Sequence, residues 1–248
     1  MNFETIYSKE MFFEDKCWKK CGGGFCCNNE NDNFDFQHIK TKGSTIFYLP
    51  REYFYANKNL KTFQNQYGAR PVIFKMKIKD ITIGVVSSKC ELLGKCKDKI
   101  DKPFLSRAYP FLPVYDYNNK LKTLIPASIF DIIYQIKEFT SPCKVNDFQK
   151  NFDHYNDNKF FLNLDVYSKF YLKVLEIFYK VIKKNILMET KNFTKNNKKF
   201  WRVFEKLYLS GLIFSSSTLK NDIYKEYLKA ADFDKNFNLL DEERYLSF

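Results

Sequence analysis

The chain of 248 residues is poor in histidine, with His38 and His154 the only two, and it contains no Walker loop, no GxGxxG, no HExxH pair and no nucleophile elbow. These absences exclude the phosphate-cradling, dinucleotide-binding, zinc-protease and serine-hydrolase chemistries built on those arrangements. Long apolar runs are missing too, since stretches such as Tyr208 to Phe214 are too short and too interrupted to cross a bilayer. The first residues carry Glu4, Glu10, Glu14 and Asp15 and no apolar core of signal-peptide length, so the expectation is a soluble, cytoplasmic chain without a membrane span. No internal repeat, low-complexity tract or Gly/Ser linker marks a domain boundary.

What the chain does have is rings and lysines. Phe 27 and Tyr 17 raise the aromatic share to 19%, so large rings should dominate the packing, and the length suffices to bury a core without disulfides. The formal charge of +12 is compatible with a polyanion partner. The lysines are spread along the sequence, however, and accompany abundant Asn, Ile, Phe and Tyr, as in an AT-rich coding sequence. Without an Arg/aromatic reading motif, nucleic acid is not the expected partner, and an unknown protein partner stays open.

The cysteines are distributed very unevenly. Cys17, Cys21, Cys26 and Cys27 fall within eleven residues around the run Gly22 to Gly24, and Cys90 and Cys96 flank Gly94 further on. In a reducing compartment such clusters point to metal or catalysis rather than to disulfides. Thiolates bind zinc and iron–sulfur centres, and glycines beside them let the backbone turn tightly and aim N–H groups at sulfur. Adjacent Cys26 and Cys27 require either a sharp turn or two centres, because neighbouring side chains of an extended segment diverge. The gaps are not the paired C-x2-C knuckles of a zinc ribbon. Cys143 alone reads as a small buried hydrophobe. His38 could complete a Cys3His site, but a lone histidine is more often a surface residue, and His154 reads as exposed loop.

Periodicity supplies the frame around these thiols. Residues 1 to 16 have loosely helical spacing, Thr45 to Leu49 reads as a strand, and Pro50 opens a helix in the favoured first position. Val72, Phe74, Met76 and Ile78 alternate with lysines as in a half-buried strand, and Lys79-Asp80 reads as the turn into a second strand that delivers the chain to Cys90. Lys102 to Pro113 holds three prolines and reads as an ordered, aromatic connection. Beyond Asp116 the pattern turns helical, with candidates at 126–140, 162–188, 200–212 and 218–231, the last capped by Ser217 or Thr218. The aromatic stripes on these helices, Trp201 included, read as core. The expected fold is α+β: a small cysteine-rich module with short antiparallel strands over residues 1–120, packed against a mainly helical part over 121–248.

Several pieces occur together in order: the C-x3-C-GGG-F-CC stretch, Tyr48-Leu-Pro-Arg-Glu-Tyr53, Cys90 to Cys96, Lys102-Pro103 and Arg107-Ala-Tyr-Pro-Phe111. Over residues 17 to 115 this set resembles the YkgJ-like cysteine-cluster family, described as a zinc- or iron-chelating domain with a CxxCxxCC signature and similar to the cysteine-rich part of flagellin lysine N-methylases. The resemblance implies a metal site of Cys17, Cys21, Cys26, Cys27, Cys90 and Cys96 holding zinc or an iron–sulfur cluster. It names no catalytic residue. Two departures stand out: the first gap has three residues instead of two, and Ser106 stands where the family has a cysteine. Serine is a poor ligand for soft metals, so either the site runs with six thiolates, which is the favoured reading, or Cys143 takes the missing place, or metal binding is weakened. A structural metal is the leading expectation, a methylase-like enzyme with an open coordination position the alternative. Arg51, Glu52 and Arg107 could orient ligands or bind an anion, with ordinary surface salt bridging the simpler reading of Glu52.

Overall fold

The computed structural model describes residues 3–8, 36–39, 45–60, 71–89, 102–137, 143, 147–157, 164–193 and 198–247. It is an α+β fold. Its elements in order are α1 (Phe3–Ser8), β1 (Thr45–Tyr48), α2 (Pro50–Asn59), β2 (Val72–Ile78), β3 (Ile81–Lys89), a single turn α3 (Phe104–Arg107), β4 (Phe111–Tyr115) and β5 (Leu121–Pro126). The helices α4 (Ile129–Lys137), α5 (Phe148–Asp157), α6 (Val166–Thr190), α7 (Lys198–Leu209) and α8 (Leu219–Phe233) follow, with 3-10 turns at Leu212–Phe214 and Glu242–Leu246.

Two antiparallel sheets form, one of three strands in the order β1-β3-β2 and one of two, β4-β5. The β2-β3 hairpin turns at Lys79, whose φ of 52° gives the left-handed step a two-residue connection needs, and Ile78 pairs with Ile81 across it. The alternating apolar side of β2 is covered at only one end: Ile78 is buried, while Val72 and Phe74 are each 55% exposed. β2 is an edge strand, so the half-buried face expected along its whole length is realised only near the hairpin. At Gly84 in central β3, an added Cβ would lie 2.7 Å from Leu246 Cδ1 and 2.8 Å from the Phe74 carbonyl oxygen, and this missing side chain admits the C-terminal turn onto the sheet.

β4 and β5 correct the expectation of a connection followed by helices. All five residues of β4 are buried, which removes the polar-apolar alternation that announces a strand, and Pro113 is tolerated because β4 pairs on one side only. Position 120, the limit expected between the two parts, falls in the short link joining these paired strands. The main core draws on both sides of it, from Leu49, Ile81 and Phe104 to Phe170, Ile223 and Leu239.

The 25-residue helix α6 is the spine, about 37 Å long at 1.5 Å per residue. Asp165 caps it, accepting from Ser168 N at 2.9 Å. Its first half packs into the main core through Phe170, Leu172 and Val174, and its second half joins Phe200, Trp201, Phe204 and Ile213 through Ile182 and Ile186. Trp201 is core, as its helical spacing implies. For α8 the N-cap is Thr218, but its hydroxyl makes no capping bond and pairs with Ser216 Oγ at 3.2 Å. His154 lies on α5 rather than in a loop, because Phe148, Phe152 and Tyr155 supply a helical apolar side that the surrounding Asn and Asp obscure.

Candidate functional site

Cys17, Cys21, Cys26, Cys27, Cys90 and Cys96 all lie outside the described residues, as do Gly22 to Gly24. Cys143 is described and half-buried, and among the described residues no group of three or more His, Cys, Asp and Glu could hold a metal ion. What the structure does describe is the chain on either side of each cysteine stretch.

The first anchor is Glu52. Pro50 starts α2, which puts Glu52 at its third position, where a carboxylate reaches back to the N-cap N–H as in a capping box. Glu52 Oε2 accepts from Leu49 N at 3.1 Å. Its other oxygen, Oε1, accepts from Tyr7 Oη at 2.9 Å and from Phe104 N at 2.6 Å. Tyr7 sits on α1, ten residues before Cys17, and Phe104 opens α3, eight residues after Cys96. One oxygen therefore holds the chain entering the first cysteine stretch and the chain leaving the second. Cys90 itself follows directly on Lys89, the last residue of β3.

Glu52 is fully buried, so it is no surface salt bridge. Burial pushes its carboxyl up to about 7, against the opposing pull of Phe104 N, Tyr7 Oη, Leu49 N and the Arg107 charge. Arg107 is itself 1% exposed; its Nε donates to the Lys102 carbonyl at 2.7 Å and its guanidinium lies 5.1 Å from the Tyr7 ring centroid. The Tyr48–Tyr53, Lys102-Pro103 and Arg107–Phe111 segments, read separately in the sequence, thus converge on one buried polar cluster. Ser106 lies half-buried on α3 beside Arg107. Arg51 points elsewhere: it pairs with buried Glu242 at 3.1 Å, donates to the Asn238 carbonyl at 2.8 Å and stacks on Tyr167 at 4.5 Å, fastening the C-terminal segment to α2.

The second anchor is Glu205 on α7, which sequence reasoning missed. Three successive backbone N–H groups, of Gln37, His38 and Ile39, donate to its carboxylate at 3.2, 2.5 and 2.8 Å. Such a run of N–H groups forms a concave nest for an anion. Burial pushes the Glu205 carboxyl up, but the His38, Ile39 and Gln37 donors outweigh it and hold it below the usual carboxylate range. Phe36 completes the attachment, with its ring 5.5 Å from Trp201 and 5.7 Å from Phe204. This loop begins nine residues after Cys27. His38 contributes its backbone N–H and is exposed. The readable signal was a lone acid, Glu205, between Trp201 and Tyr208 on the apolar side of an otherwise basic helix, because a carboxylate placed there has to find donors.

Comparison of the chain with family models, with curated proteins and with solved structures finds no match in any of the three.

Proposed function

We propose that this is a metal-binding protein in which Cys17, Cys21, Cys26, Cys27, Cys90 and Cys96 hold zinc or an iron–sulfur centre, with the metal serving a structural role. The observation that carries the reading is the convergence on Glu52. Two cysteine stretches separated by more than sixty residues of sequence have flanking chain, Tyr7 and Phe104, bonded to the same carboxylate oxygen. Glu205 holds the far side of the first stretch. Six thiolates carried on chain tethered in this way suit a soft metal centre, and the resemblance to YkgJ-like cysteine-cluster proteins supports the same ligand set. Ser106, a hydroxyl on α3, leaves the set at six thiolates.

A closed thiolate centre contributes on the order of 10 kcal/mol to folding, because the ligands are not preassembled in the unfolded chain. Stripping the metal with a strong chelator should therefore lower the melting temperature and reduce the cooperativity of unfolding. A melting curve unchanged after complete removal of the metal overturns the structural role.

A further inference from the structure

Helix α7 carries Lys198, Arg202 and Lys206 at exposed positions that recur every four residues, which is one side of a helix. Its sole acid, Glu205, is turned the other way and taken up by the 36–39 loop. The basic side therefore has no acidic residue of its own helix to offset it.

At its C-terminal end this stripe runs into exposed apolar side chains. Tyr208 and Leu209 close the helix, and Leu212 and Phe214 follow in the 3-10 turn; Leu209 is 57% and Leu212 54% exposed. This tip is not a frayed end. Gly211 takes a φ of 73°, Phe214 N bonds Gly211 O at 3.0 Å, and the Asn185 side-chain amide on α6 donates to the carbonyls of Leu212, Ile213 and Ser215 at 3.2, 3.1 and 2.9 Å. Ile213 is fully buried as the anchor, which leaves its neighbours Leu212 and Phe214 facing outwards. The Tyr208 and Phe214 rings meet at 6.1 Å. The turn is thus held in place by hydrogen bonds and presents aliphatic and aromatic groups to solvent.

We infer that the α7 stripe and the 212–214 turn form a peripheral docking surface for anionic lipid membranes. Lysine and arginine beside exposed leucine and aromatic side chains are what an interfacial site needs: the charges meet the headgroups while the tip enters the acyl boundary. Charge complementarity selects this occupant over two others. A second copy of the chain would bring two basic stripes together and be repelled. Nucleic acid would satisfy the charges but offers no apolar layer for Leu209 and Leu212. No described helix is long and apolar enough to cross a membrane, so the contact would be made at the surface.

The test is co-sedimentation of the full chain with phosphatidylcholine vesicles, with and without about one part phosphatidylserine in three. The expected result is binding to the serine-containing vesicles only, weakened about a hundredfold in Lys198→Gln/Arg202→Gln/Lys206→Gln and about tenfold in Leu209→Ser/Leu212→Ser. All five side chains are exposed, so both variants should keep the wild-type circular dichroism and melting curve. Three outcomes overturn the inference: no binding to either vesicle at low salt, a dimer that the leucine variant abolishes without any vesicle binding, or tighter binding to a single-stranded oligonucleotide that the leucine variant leaves unchanged.

Discussion

At Glu52, donors from three separate segments meet a carboxylate with no exposure at all, whereas at Glu205 three consecutive N–H groups of one loop meet a carboxylate on a single helix. Both residues hold chain that borders a cysteine stretch, and both rely on backbone N–H groups. They differ in what surrounds them. Desolvation prevails at Glu52 and raises its pKa, while the donors prevail at Glu205 and lower it. The same kind of anchor thus responds to pH in opposite directions.

The largest expected effect comes from deleting the anchors. Glu52→Ala leaves three buried donors without their carboxylate, and should cost about 4 kcal/mol of unfolding free energy, against about 1–2 kcal/mol for Glu205→Ala, whose loop can turn its N–H groups to water. Urea denaturation at neutral pH measures both. Equal losses would break the distinction between the two sites.

A smaller effect separates them by sign. A carboxyl raised from 4.5 to about 7 favours the folded state only while it is protonated in that state. Its contribution is complete below the unfolded pKa and falls away as pH rises through the folded one, a change of about 3 kcal/mol across that window. Glu205 behaves in reverse, contributing above the ordinary carboxylate pKa and losing that contribution as pH falls through its lowered value. Unfolding midpoints between pH 4 and 8 should therefore show a decline in the wild type, to which buried Asp131 and Glu242 also contribute, that Glu52→Gln makes shallower and Glu205→Gln leaves in place. An identical slope in the wild type and Glu52→Gln would show that Glu52 does not titrate in this range.

Much of the frame was legible in the sequence. The strand at Thr45, the proline-started helix at Pro50, the turn at Lys79-Asp80 and the long helix ending near residue 190 all left periodic or capping signals. The β4-β5 hairpin left none, since five buried residues in a row look the same in a strand as in a core helix. Glu52 looked like a surface charge because its partners, Tyr7 and Phe104, are 45 and 52 residues away, and no local pattern encodes such a meeting. The cysteine spacing, by contrast, was plain in the sequence but belongs to residues that the structure does not describe.

The central claim is that six named thiols share a metal centre, and it is tested most directly by anaerobic purification followed by metal analysis and thiol alkylation with mass mapping. The account predicts bound zinc or iron, with Cys17, Cys21, Cys26, Cys27, Cys90 and Cys96 protected from alkylation as a set until a chelator is added. Metal-free protein in which these six cysteines alkylate freely and independently would contradict it.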